Sequence, residues 1–190
     1  MKTNKWIYAI VIASLVWVGC DDDDDKIIDP TLNDTDELFV EKAARSNMAE
    51  IKFSEIAVAK STDSLIRSFA KKMVDEHTKA QNELQDIADD FRGVEWPNDL
   101  DEGHESIKDQ LDSIPAGYSF DTLFLGTQER THLAAKTTFQ TATTTTTETR
   151  VKSYATKYLP FIEEHLSHVD SLQTIIMEGE SADDSSADGN

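Results

Sequence analysis

Ser64-Leu-Ile-Arg-Ser-Phe-Ala-Lys-Lys-Met-Val-Asp-Glu-His-Thr-Lys-Ala-Gln-Asn-Glu-Leu-Gln-Asp-Ile-Ala-Asp-Asp-Phe91 carries the cleanest periodicity in the chain. Apolar side chains recur at Ile66, Phe69, Met73, Ala80, Leu84, Ile87 and Phe91. His77 falls in the same series. Spacings of three and four residues put all of these on one face of a helix about seven turns long. Gly93 follows as a C-terminal glycine, the residue that most readily leaves the helical conformation. Ser61-Thr62-Asp63-Ser64 precedes as a tight turn and cap.

Working outward, similar stripes flank this helix. Towards the N-terminus, Thr35 or Asp34 can cap a first helix that ends near Lys60, with Asp36 and Glu37 in its first turn. Its stripe is Phe39, Ala43, Ile51 and Ala57, with Asn47 and Glu50 on the same face. Towards the C-terminus, residues 94–119 make a long connection containing Pro97, Gly103, Pro115 and Gly117. A short helix over 104–113 fits within it. A third long helix starts near Ser119 or Asp121, with Phe124, Gln128, His132, Ala135, Phe139 and Ala142 on one face. The threonine run Thr143–Thr147 should fray it into a turn, because β-branched residues lose side-chain freedom in a helix. A fourth helix runs from about Glu148 to Ile176 on Val151, Ala155, Tyr158, Ile162, His165, Val169 and Leu172. Pro160, inside it, should kink it. Four long helices with short first and third turns make two antiparallel hairpins. The long middle connection then carries the chain from end to end. The expected fold is therefore all-α: a ferritin-like four-helix bundle with a crossover between helices two and three.

Composition agrees. The 190 residues hold 7 glycines and 4 prolines, which disfavours a turn-rich β fold. The formal net charge is −19, which argues against nucleic acid or anionic headgroups as partners, since both are held by basic surfaces. No glycine-rich phosphate loop and no Gly-x-Ser-x-Gly motif is present.

The first twenty residues read as a processing signal. Lys2 and Lys5 form a positive start, Trp6 to Val18 is nearly all apolar, and Gly19 is small. The Val18-Gly19-Cys20 end resembles the bacterial lipobox, in which a peptidase cuts before a lipid-modified cysteine. Residues 1–19 are thus expected to be a signal peptide and Cys20 the lipid attachment site, with two or three acyl chains giving a stable membrane anchor. Asp21 to Asp25 cannot pack and must stay solvated. They are either a flexible spacer or a sorting signal. The expected division is 1–19 signal peptide, 20–33 lipidated cysteine and acidic tether, 34–177 helical domain and 178–190 disordered acidic tail.

A family resemblance rests on Asn47-Met48-Ala49-Glu50-Ile51, on Phe69-Ala70-Lys71-Lys72-Met73-Val74-Asp75-Glu76-His77, on Phe120-Asp121 with Gln128 and His132, and on Leu159-Pro160 with His165. These segments resemble the ferritin-like bacterial family called domain of unknown function 4142. The resemblance covers residues 35–176. It implies the bundle fold and a place in the cell envelope; together with the lipobox, an outer-membrane lipoprotein on the periplasmic face or the cell surface is expected. It implies no established activity. A non-enzymatic binding or structural role, with an envelope protein as a partner, is the first expectation.

Three helices each place a histidine on the buried stripe: His77, His132 and His165. The first places Glu50 there. At 1.5 Å per residue along the bundle axis, Glu50 falls at roughly 16 Å, His77 at roughly 21 Å, His132 at about 18 Å and His165 at about 12 Å. The four can meet near mid-bundle. Two readings stand: a hydrogen-bonded polar network, because buried polar groups need partners, or a metal or small-ligand site. Imidazole ligands suit zinc, copper or iron. Glu129 and His168 are possible additions. A ferritin-type di-iron oxidoreductase is disfavoured. That chemistry needs Glu-x-x-His on two helices, and only Glu129-x-x-His132 fits, since Val74 and Ile162 stand three residues before His77 and His165.

Overall fold

The computed structural model describes residues 30–187. The expected signal peptide, Cys20 and the aspartate run lie outside the described residues. The described chain is all-helical: α1 (Asp34–Lys60), α2 (Ser64–Ala88), α3 (Glu102–Ser113), α4 (Tyr118–Thr145) and α5 (Thr149–Ala187). The short connections join α1 to α2 and α4 to α5 as packed pairs. The pairs meet through α1 against α4 and α2 against α5, while α3 lies in the connection against α1 and α4. No described helix is long and apolar enough to cross a membrane.

The caps show why the helices begin where they do. Asn33, rather than Asp34 or Thr35, caps α1: its Oδ1 accepts from the N–H groups of Thr35 (2.9 Å) and Asp36 (3.1 Å). Asp36 is left free for a longer reach. Its buried carboxylate accepts from the N–H groups of Thr147 (3.0 Å) and Glu148 (2.8 Å), tying the start of α1 to the α4–α5 turn. Those are amides at the start of α5, where a helix leaves N–H groups unpaired and favours a negative charge. Asp63 caps α2 through the N–H groups of Leu65 and Ile66.

Four boundaries differ from the sequence expectation. The helix α2 stops at Ala88, before Gly93, because Phe91 turns in to pack on the core. The helix α4 begins at Tyr118, directly after Gly117 with its positive φ of 125°. The threonine run stays helical to Thr145, since its hydroxyls bond carbonyls three and four residues back, as Thr145 does to Thr141 at 3.0 Å. The helix α5 is unbroken through Pro160 and continues to Ala187, past the expected end at Ile176 and into the segment expected to be a disordered tail. Helical hydrogen bonding propagates once nucleated, even beyond the last packed side chain.

The core has two apolar halves. One is built on Phe39, Val40, Leu84, Phe139 and Tyr154. The other is built on Phe53, Ile66, Met73, Phe120, Phe124 and Leu125. Each such side chain contributes about 1.5–3 kcal/mol by leaving water. Trp96 of the α2–α3 connection packs on the first half, as a lid on that end of the core. Between the halves, at the same level on all four long helices, lies a buried polar layer: Asn47 and Glu50 on α1, His77 on α2, Gln128 and His132 on α4, and His165 on α5.

Candidate metal centre

The periodic stripes that bury the apolar core also carry the three histidines inward. The ring centroids of His77, His132 and His165 lie 5.5, 5.4 and 5.1 Å apart in pairs. One ligating nitrogen from each lies within 4.8 Å of the others. All three side chains are buried.

Each ring is held from outside by a hydrogen-bond acceptor. His77 Nδ1 is 2.9 Å from Asn47 Oδ1. The amide nitrogen of Asn47 donates to the Tyr154 hydroxyl at 2.9 Å, which leaves Oδ1 to accept and so puts the proton on His77 Nδ1. His132 Nδ1 lies 2.9 Å from the Gln128 carbonyl, its only possible role there being to donate. His165 Nε2 lies 2.6 Å from the Glu76 carboxylate. With those protons assigned, the remaining nitrogens are His77 Nε2, His132 Nε2 and His165 Nδ1. His77 Nε2 is buried without a partner. His132 Nε2 and His165 Nδ1 stand 3.1 Å apart.

Burial sets the charge of these rings. His77 is held well below the ordinary imidazole value, first by removal from water and then by the neighbouring His132 and His165. His165 is pushed down to about 4, again by burial first and His132 second, against the opposing pull of Glu76. Both are neutral at pH 7. A neutral imidazole has one N–H and one lone pair. His165 gives its N–H to Glu76, so its Nδ1 lone pair faces Nε2 of His132. Three ring nitrogens thus converge, and those of His77 and His165 present lone pairs, an arrangement that suits a cation.

Glu50, expected beside the histidines, stands behind one of them. Its Oε2 accepts from Gln128 Nε2 at 2.7 Å, and its Oε1 is 3.6 Å from His132 Nδ1, the outward nitrogen. It faces the ring's back, not the point of convergence. Glu129 and His168 are exposed and remote from the cluster: Glu129 bonds Gln173 at 3.1 Å, and the His168 ring packs on Phe69. Sequence reading missed Glu76 and Tyr154. Glu76 neighbours His77 in the chain and so lies 100° round the helix, off the stripe; only the packing of α2 on α5 brings it to His165. Tyr154 does obey the stripe, three residues beyond Val151, and its spacing was the available signal.

A cavity of about 300 Å³ opens on the cluster. The three histidines line it together with Phe139, Tyr154, Tyr158 and Ile162. Lys79, Glu83 and Lys157 also border it.

No curated protein matches the chain. Among solved structures, the crystal structure of a DUF305 fragment from Deinococcus radiodurans is similar, with a TM-score of 0.68 and 12% identity over 76% of this chain and 99% of the fragment. At that identity the likeness is one of fold alone. The family described as "Domain of unknown function (DUF4142)" matches residues 25–172, most of the chain and every residue of the histidine cluster, and the protein belongs to that family.

Proposed function

We propose that the protein binds a transition-metal ion through His77, His132 and His165. The observation that carries this reading is the outward commitment of all three N–H groups, which leaves three ring nitrogens converging in a buried layer. A purely structural network would place a donor opposite each acceptor. Here His77 Nε2 has no partner, and His132 Nε2 meets His165 Nδ1 at 3.1 Å, where two neutral rings would set lone pair against lone pair. A cation resolves both. The backing by an amide oxygen, a backbone carbonyl and a carboxylate is the kind of support that orients histidines on a metal. Three imidazoles suit zinc, copper or iron(II).

On this reading the four long helices form a ferritin-like bundle with α3 in its crossover, and the metal sits mid-bundle, on imidazoles and not on a di-iron carboxylate set. The function is binding rather than catalysis. We also read Cys20 as a lipid anchor holding the domain in the bacterial envelope behind an acidic tether.

The test is metal analysis and calorimetric titration of the purified protein with zinc, copper and iron. One equivalent of tightly bound metal, lost in His77→Ala and His132→Ala variants that still fold, is the expected result. No binding of any of the three metals to the intact protein would refute the reading. Labelling with a radioactive fatty acid tests the anchor: incorporation should vanish in Cys20→Ala.

A further inference from the structure

The three histidines come from α2, α4 and α5, while α1 supplies only the supports Asn47 and Glu50. A metal held by three protein ligands keeps a coordination position for a ligand from outside. The 300 Å³ cavity borders all three rings and is large enough for a small organic molecule. Its chemistry is mixed in a specific way. Phe139, Ile162 and Ala135 give apolar wall. Tyr154 is 1% exposed, and its hydroxyl oxygen already accepts from Asn47. Its own hydrogen meets no acceptor among the described residues. Lys79, at the border, has no acidic partner among the described residues, whereas Lys157 is paired with Glu83.

We infer that the centre takes a small carboxylate with an apolar body as its exogenous ligand. One carboxylate oxygen occupies the open metal position, the other accepts from the Tyr154 hydroxyl, and the apolar body fills the cavity beside Phe139 and Ile162. Glu50, Glu76 and Glu83 line the same cavity, engaged by Gln128, His165 and Lys157, beside Lys79. Three carboxylates set against Lys79, Lys157 and a divalent ion leave a formal positive charge in the lining, which suits an anion. Tyr154 is a binding residue here, its buried hydroxyl having no acceptor among the described residues. This inference rests on the metal-binding reading above.

The experiment uses the cobalt(II)-loaded protein, whose visible bands report ligands on the metal, titrated with benzoate. The expected result is a saturable band shift, with benzoate binding about tenfold weaker in Tyr154→Phe, as loss of one hydrogen bond to a charged group implies. Benzamide, neutral and of the same shape, should bind at least about tenfold weaker than benzoate. Ala135→Phe fills the cavity one turn from His132, and should abolish the benzoate response while keeping the cobalt bands. Cobalt bound with bands that benzoate leaves unchanged overturns this inference alone. So does an Ala135→Phe protein that still binds benzoate as before. Failure to bind cobalt, zinc, copper or iron at all overturns the metal reading and this inference together.

Discussion

His132 Nε2 and His165 Nδ1 stand 3.1 Å apart in the buried centre of the protein, each on a ring whose other nitrogen is already engaged. His132 gives its N–H to the Gln128 carbonyl of its own helix. His165 gives its N–H across the interface to Glu76. What remains is the inward nitrogen of each, with the unpartnered His77 Nε2 beside them. The folded protein holds these groups together because two apolar core halves clamp the layer from both sides.

Metal should therefore stabilise the fold strongly. A ligand present at a hundred times its dissociation constant adds about 2.7 kcal/mol. For a chain of this size that raises Tm by about 5–10 °C. Thermal unfolding with and without zinc checks this, and a chelator should reverse the shift. In His165→Ala the shift should disappear.

Glu76→Gln should weaken metal binding by roughly 10–100-fold, as loss of a carboxylate behind a ligating histidine does elsewhere. Glu76 is partly exposed, so the unfolding midpoint of the metal-free protein should change little. Titration calorimetry and denaturant melts on the same variant separate the two effects. An equal loss in both would make Glu76 a structural residue only.

Asp36→Ala should be among the most destabilising single changes outside the apolar core. It strips acceptors from the N–H groups of Thr147 and Glu148 and cuts the tie between α1 and the α4–α5 turn. The two bonds are part-buried and made to a charged group, each worth about 1.5 kcal/mol or less, so a loss of about 2 kcal/mol is expected in urea melts. Metal affinity should survive in whatever fraction remains folded, since the tie lies about three turns along α1 from Asn47.

Stability of the metal-free protein should fall on mild acidification. His77 and His165 are depressed in the folded state, His165 to about 4, against an ordinary value near 6.5. Above pH 6.5 both are neutral folded or unfolded, so they give no slope. Between 6.5 and about 4 the unfolded chain takes up protons that the folded chain does not. Stability then drops by about 1.4 kcal/mol per pH unit for each histidine. Urea melts across pH 4–7 should show this slope, flattened in His77→Ala.

The histidine stripes were legible because the apolar period carries them. His77 sits four residues from Met73 and three from Ala80, and the same rule buries His132 and His165. The backing groups were less legible. Asn47 and Gln128 could be seen as polar residues on apolar faces, but not which ring each would hold. Glu76 carried no sign at all, being placed by the contact of α2 with α5 and not by either helix alone. Glu50 was legible as buried and misleading as a ligand. Its level along the axis matches the histidines, yet its side chain is taken by Gln128 Nε2 and stands behind His132.

The sequence by itself determined the helices, their order, their buried faces and the presence of three histidines among apolar neighbours, because period, capping residues and turn residues act locally along the chain. Tertiary structure alone decided which nitrogen of each histidine points inward. That choice depends on acceptors delivered by other helices or by the local backbone: Asn47 from α1, Glu76 from α2 and the Gln128 carbonyl one turn back. An imidazole has two nitrogens of nearly equal chemistry, and only its neighbours in space distinguish them.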